Sequence, residues 1–187
     1  MLRGTRPERG EVRMQRRVNS RIHLTEIRES DRSAFLQYLN DTDIHRFTCR
    51  IPYPYTDKEF GAWMDVVTRA AEQHGEPIHW AIRDMDDSLI GAIGFDNLVK
   101  GHRAELGYWL AKPYWGQGIM SSVVRCACQV AVSEWQLVRI TAIVFENNLA
   151  SVRVLEKNGF VHEALLKKYF KRSEQFSDAL LYARIAR

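Results

Sequence analysis

The order of elements read along this chain, β-α-α-β-β-β-α-β-α-β-β, predicts an α+β fold. The expected architecture is a mixed, mostly antiparallel sheet of six to seven strands flanked by about four helices. Three observations carry this expectation. Three consecutive strands without an intervening helix precede the long helix that opens after residue 118, as in an antiparallel meander. An apolar strand follows that helix, so residues 103–145 make a crossover whose two strands run parallel. Two further strands then close the chain.

Ile22 to Ile27 alternates apolar and polar residues and reads as the first strand. Ser30 is placed to cap a helix with the face Ala34, Phe35, Tyr38 and Leu39. Thr42 to Thr56 reads as a loop. Thr56 and Glu59 then have the spacing of a capping box, in which each side chain satisfies the other's free N–H. The buried stripe of that helix is Phe60, Trp63, Met64, Val67 and Ala70 or Ala71, and Gly75 and Pro77 stop it. Ile78 to Arg83 and Leu89 to Phe95 are strands about the turn Asp86-Asp87-Ser88, and Gly101 turns the chain into a third, Arg103 to Ala111. The long helix buries Ile119, Met120, Val123, Val124, Ala127, Val130, Ala131 and Trp135. Val138 to Phe145 has the apolar run of a strand covered on both faces. Ser151 to Asn158 is a short helix stopped by Gly159. Phe160 to Lys171 and Phe176 to Ile185 are the last strands, joined around residues 172–175.

The 187 residues make one domain, 21–187, preceded by a basic arm, 1–20. A chain of this size buries roughly 70% of its unfolded surface, so one core suffices. No apolar run approaches the ~18 residues of a membrane-spanning helix, so no membrane partner is expected. The net charge of +4 is concentrated at one end: residues 1–21 carry seven Arg against Glu8 and Glu11. The rest of the chain is close to neutral, which argues against a nucleic-acid-binding body. The arm reads either as a solvated extension upstream of a start at Met14, or as a segment contacting RNA or the ribosome. Cys49, Cys126 and Cys128 lack a C-x-x-C pattern, which fits a reducing, cytoplasmic setting and gives no metal site. The last two are read as helix-packing residues.

The stretch from Glu105 to Met120 holds the chemistry. A strand ends, Pro113 breaks it, Trp115-Gly116-Gln117-Gly118 makes a tight turn, and a helix begins. Backbone N–H groups at such a turn and in the first helical turn have no internal partner and form an anion nest at the positive helix end. Gly116 and Gly118 allow phosphate to approach without a Cβ in the way. A dinucleotide would need a third glycine where Met120 stands and an acid at a strand end about twenty residues on; neither is present. A purely structural tight turn is the plainer alternative.

The segment from Glu105 to Phe160 resembles the core of the GNAT acetyltransferase superfamily, of the ribosomal-protein-alanine N-acetyltransferase (RimJ/RimL) type. Gly107-Tyr108-Trp109-Leu110, Trp115-Gly-x-Gly-x-Met120, Asn148-x-x-Ser151 and Val154-Leu-Glu-Lys-x-Gly159-Phe160 carry the likeness. The family's Q/R-x-x-G-x-G/A signature is departed from at Trp115 and Met120, and Leu155 stands where many members have a Tyr. The element order matches from residue 22 onward.

The resemblance implies acetyl-CoA as cosubstrate, held between a central parallel strand pair that splays apart around it. The backbone of Trp109 and Leu110 would pair with the pantetheine arm. The segment Trp115, Gly116, Gln117, Gly118, Ile119, Met120 and Ser121 would cradle the pyrophosphate, and Asn148 would bond the pantetheine or thioester region. The implied reaction is attack of a primary amine on the thioester. Glu105 is the candidate base and Ser151 the candidate acid, or else simply a helix cap. His23, His79, His102 and His162 read as solvated or packing residues. The acceptor is a protein N-terminal α-amine by branch, with small amines (aminoglycoside, polyamine, amino acid) or a non-catalytic acetyl-CoA-binding or RNA-associated role as alternatives. It is expected between the loop 42–56, with Phe47, Tyr53, Tyr55, Asp41 and Asp43, and the hairpin around 172–176. The protein is expected to be a monomer or homodimer.

Overall fold

The computed structural model describes residues 15–186. The Arg-rich segment 1–14, and with it any contact to RNA or the ribosome, lies outside the described residues. Eight strands form one sheet: β1 (Gln15–Arg17), β2 (His23–Thr25), β3 (His79–Arg83), β4 (Leu89–Val99), β5 (Arg103–Leu110), β6 (Arg139–Phe145), β7 (Val161–Arg172) and β8 (Gln175–Ile185). Their order is β1-β2-β3-β4-β5-β6-β8-β7, and every neighbouring pair is antiparallel except β5–β6. The helices are α1 (Arg32–Leu39), α2 (Thr42–Phe47), α3 (Asp57–His74), α4 (Ile119–Ser133) and α5 (Leu149–Lys157). The expected mixed α+β architecture is what the chain adopts.

Each face of the sheet has its own core. Trp80, Ile82, Ile90, Ile93, Phe95, Leu106 and Leu110 pack against Val123, Val124, Ala127 and Ala131 of α4 and Leu155 of α5. Ala81, Ala92 and Trp109 pack against Phe35 of α1 and Phe60 and Val67 of α3. Strand periodicity sets this division, since successive side chains point to opposite faces. Trp135, just past α4, lies stacked on Trp80 and edge-on to Phe95, fixing the end of the helix to the sheet. Cys128 is fully buried in this core, and burial pushes its thiol up to about 11, so it acts as a small apolar residue.

The local signals and the structure agree at both ends of α3. Thr56 and Glu59 form the reciprocal capping box, and Gly75 closes the helix in the left-handed region. Gly159 does the same after α5. Four features differ from the sequence reading. Gln15–Arg17 pair with β2, so the sheet begins before residue 20, and Arg16 forks onto Glu134 beyond α4. Residues 42–47 are helical because Asp41 accepts the Asp43 N–H and caps them. Ser30 lies within a single 3-10 turn, Glu29–Asp31, and Asp31 precedes α1 instead. β6 is covered on one face only: Ile140, Ala142 and Val144 face α4, while Arg139, Thr141 and Ile143 are half-buried. The helices α1–α3 cover β3–β5 and stop short of β6, leaving that second face for a cleft.

A buried ion pair locks α1 to the sheet. Arg83 on β3 donates from Nη1 and Nη2 to the two Asp31 carboxylate oxygens (2.9 and 2.8 Å) and from Nε to Thr25 Oγ1 (2.6 Å). Both charged side chains are under 5% exposed. Removing Asp31 leaves the buried guanidinium with only the longer contact to the half-exposed Asp87 carboxylate (3.6 Å), so Asp31→Ala is expected to cost about 3 kcal/mol, the lower end for a broken buried pair. Urea unfolding of the variant measures this directly; a loss under about 1 kcal/mol would mean that solvent replaces the carboxylate.

Candidate active site

The turn between β5 and α4 is built to present backbone N–H groups. Lys112–Tyr114 form one 3-10 turn with Pro113 near its start, and the chain then reverses through Trp115–Gly118. Gly116 and Gly118 both stand at φ +73°, where a side chain is strained. Nothing lies within 4 Å of where a Cβ would stand at either residue, so the space over the turn is open. Among the described residues, no acceptor pairs with the N–H groups from Gly116 to Ser121. Two neighbouring side chains brace the turn: Trp115 Nε1 donates to the Leu110 carbonyl (2.7 Å) and Gln117 Nε2 to the Pro113 carbonyl (3.0 Å). Met120 is buried and supports the first turn of α4 from the core, with Ile119 half-buried beside it. The Ser121 carbonyl accepts from Asn158 Nδ2 (3.1 Å), which ties α4 to α5.

The turn stands at the mouth of a gap in the sheet. β5 and β6 pair only through Arg103–Arg139, Ala104–Ile140 and Glu105–Thr141. Beyond these, β5 keeps β4 and β6 keeps β8. Ala111 donates to the Ile90 carbonyl, and the Trp109 carbonyl lies against Gly91. Backbone groups of residues 109 and 111 therefore point to β4, and by alternation those of Tyr108 and Leu110 point into the gap. With the Leu110 carbonyl taken by Trp115, the Leu110 N–H and both Tyr108 backbone groups remain. Trp109 instead contributes its ring, edge-on to Phe35.

A hydroxyl pair crosses the gap on the α4 side. Ser151 Oγ lies 2.7 Å from the Tyr108 hydroxyl, joining β5 to the helix after β6. Asn148 accepts the Ser151 N–H (3.1 Å) as the N-cap of α5. Burial pushes the Tyr108 phenol well above its ordinary value, so it stays neutral and can donate. The partner of Tyr108 lies 43 residues away in the chain and left no local signal in the sequence.

On the opposite face, at the vertex of the gap, stands Glu105. The register of β4 and β5 is unbroken from residue 105 to 110, and its one shift lies at Asp96/Val99, so Glu105, Gly107 and Trp109 share the face covered by α1–α3. Asp96 lies directly across the strand pair from Glu105. Arg50 spans the two carboxylates, Nη1 to Asp96 Oδ2 (2.9 Å) and Nη2 to Glu105 Oε1 (2.6 Å). His79 Nε2 is 3.2 Å from Asp96 Oδ1, and its ring packs on Gly94. The His79 bond and the Arg50 charge hold the Asp96 carboxyl below its usual range, against the effect of burial. His79 thus has a partner that sequence reading did not find.

The loop and hairpin expected to frame an acceptor do meet. Arg172 Nη2 donates to the His45 and Thr48 carbonyls at the end of α2 (2.8 and 3.2 Å). Asn40 holds Tyr55 by both backbone groups. The acids singled out there have other work: Asp41 caps α2, and Asp43 pairs with Lys112. Tyr55 is buried on Phe35, its phenol pushed up to about 12, while Tyr53 stacks on His45. Glu105 stands in the last residue pair before the gap, with Asp96 opposite it on β4.

Comparison with known proteins identifies this architecture. Residues 21–161 match the acetyltransferase (GNAT) domain family, and the chain belongs to it. It is 30% identical over 165 residues, 87% of this chain and 92% of the relative, to the uncharacterized N-acetyltransferase YoaA of Bacillus subtilis. It is 34% identical over 101 residues, 54% of this chain and 56% of the relative, to the ribosomal-protein-serine acetyltransferase of Escherichia coli. Among solved structures, a ribosomal L7/L12 alpha-N-protein acetyltransferase in complex with coenzyme A matches with a TM-score of 0.82 and 22% identity, covering 92% of this chain and 98% of that one. The protein is a GNAT N-acetyltransferase, a family that uses acetyl-CoA. No helix among the described residues is long and apolar enough to cross a membrane.

The depressed Asp96 carboxyl has a consequence for acid stability. A carboxylate with a lowered folded-state pKa stabilises the fold fully above its unfolded value of about 3.9 and loses that contribution as pH falls through the folded value. The stability difference between the parent and Asp96→Asn should therefore shrink as pH falls below about 4. Urea unfolding across pH 2–6 checks this; a difference independent of pH would remove Asp96 from the acid-sensitive groups.

Proposed function

We propose that this protein acetylates a protein N-terminal α-amine, in the manner of the ribosomal-protein acetyltransferases, with acetyl-CoA in the gap between β5 and β6. The observation that supports this most is the gap itself. An unpaired strand edge, six free N–H groups at its mouth and a carboxylate at its vertex converge on one opening. Acceptor identity rests on the ribosomal-protein-serine acetyltransferase and the L7/L12 acetyltransferase among the similar proteins.

The residues present fit acetyl-CoA. The turn from Gly116 to Ser121 offers N–H donors to a pyrophosphate over glycines that leave the approach clear. The Leu110 N–H and the Tyr108 backbone groups offer an added-strand pairing to the pantetheine amides, and a free N–H there can stabilise the oxyanion formed at the thioester carbonyl. Asn148 stands on the β6 side with its side-chain amide nitrogen unpaired among the described residues.

An amine at neutral pH is mostly protonated. Glu105, on the acceptor face, accepts that proton directly or through one water, and the neutral amine attacks the thioester carbon. The C–S bond then breaks, the departing thiolate takes a proton from Ser151 Oγ, and the second proton that the attacking nitrogen loses passes through solvent and restores the Ser151 hydroxyl. Tyr108, donating to Ser151, fixes the direction of that hydroxyl. The high phenol pKa makes Tyr108 an orienting group, since full loss of its proton is disfavoured.

A thiol-release screen of acetyl-CoA against N-terminal peptides and small amines tests the proposal. Turnover confined to small amines would replace the acceptor assignment, and no turnover with any amine would leave the non-catalytic reading. Two substitutions test the roles. Gly118→Glu places a carboxylate where phosphate is to bind and should abolish acetyl-CoA binding in calorimetry; unchanged affinity would move the phosphate site elsewhere. Glu105→Gln should keep acetyl-CoA affinity and lower kcat by ~10²–10⁴, with the loss shrinking as pH rises and the amine deprotonates unaided. A rate within a factor of a few of the parent at pH 7 would leave deprotonation to water.

A further inference from the structure

Asp96 and Glu105 stand directly opposite each other on β4 and β5, an arrangement that is unfavourable for like charges unless a cation lies between them. That cation is Arg50, and its guanidinium reaches both carboxylates at once. The three side chains differ in how firmly they are held. Glu105 is on a central strand with its side chain only 18% exposed, and Asp96 is also engaged by His79. Arg50 lies on the segment after α2 and its side chain is 60% exposed. The carboxylates are thus fixed by the sheet, while the cation is supplied by a surface loop whose flanks are tied down by Arg172 at Thr48 and by Asn40 at Tyr55.

Arg50 bonds only one oxygen of Glu105. Oε2 accepts no hydrogen bond among the described residues and remains open to an incoming N–H. Arg50 offsets the charge of one of the two carboxylates, while His79 engages Asp96 from its other side, so the free oxygen that faces an incoming amine belongs to Glu105. An acceptor carrying one ammonium group matches it. One carrying further ammonium groups a few ångströms along brings them against the guanidinium, where like charges repel.

We infer that Arg50 is a specificity-determining residue: by neutralising one of the two carboxylates, it restricts the acceptor subsite to amines with a single positive charge near the reacting nitrogen and disfavours polyamines. The inference rests on the proposed function, in which the Glu105 face receives the amine, and it names the class of amine. Arg50 also pairs with Glu105, so its effect on the acceptor is read from binding and not from turnover.

The test is calorimetric binding to the full chain saturated with coenzyme A, using two probes: a blocked-carboxyl tripeptide amide whose only charge is its α-amine, and the triamine spermidine. Arg50→Gln should tighten spermidine by about tenfold, the effect of removing one nearby like charge, and change the peptide by less than about threefold. Arg50→Lys keeps the cation and should retain the parent preference, which separates charge from loop structure. An unchanged ratio of the two affinities in Arg50→Gln, or the same shift in Arg50→Lys, would overturn the inference. Glu105→Gln distinguishes the two levels of argument. If it weakens both probes while Arg50→Gln leaves their ratio unchanged, only the role of Arg50 fails. If it affects neither, the amine does not bind on this face and both fail.

Discussion

Three residue pairs between β5 and β6, ending at Glu105–Thr141, join the two halves of the sheet, and past that point each strand keeps only its antiparallel partner. Backbone groups left without partners inside a protein are costly, so a sheet that opens in its middle must have something to put there. On the edge facing the gap, Trp115 takes one carbonyl and the remaining groups of Tyr108 and Leu110 are presented to whatever enters. The turn at Gly116–Gly118 and the start of α4 extend the same unsatisfied donors beyond the strand end. An extended ligand carrying amides followed by phosphates is the chemistry such a surface selects.

The gap also separates two kinds of proton chemistry. On the α4 side the Tyr108–Ser151 pair is enclosed, and enclosure keeps the phenol neutral. On the side of α1–α3 the carboxylates Glu105 and Asp96 are held in a cluster with Arg50 and His79. A hydroxyl pair thus lies on one side of the opening and a carboxylate cluster on the other, the arrangement on which the proposed function rests.

Two guanidinium–carboxylate clusters on the same face show how burial changes what an ion pair does. Arg83 with Asp31 is sealed under α1 and acts as a structural lock, because neither charge can be exchanged for water. Arg50 with Asp96 and Glu105 sits where its cation is exposed, so the pairing contributes little to stability.

Local chemistry determined much of this protein from the sequence. The capping box at Thr56 and Glu59, the left-handed glycines at 75, 116, 118 and 159, and the apolar stripe of α4 are set by residues within one or two turns of each other, and they define the element order, the class of fold and the N–H-rich turn. Glu105 and Ser151 were legible as candidates through family resemblance. The tertiary structure alone decided which side chains meet. The one-residue shift in β4 after Asp96 fixes the register that sets Asp96 against Glu105. The path of the loop after α2 brings Arg50 onto them from about fifty residues away in sequence. The placing of α5 over the gap delivers Ser151 to Tyr108. β1, too short to announce itself, exists only because β2 offers it an edge. Helix caps and turns are satisfied by neighbours along the chain, whereas cross-strand register and loop placement are settled by the packing of the whole sheet between its two layers of helices.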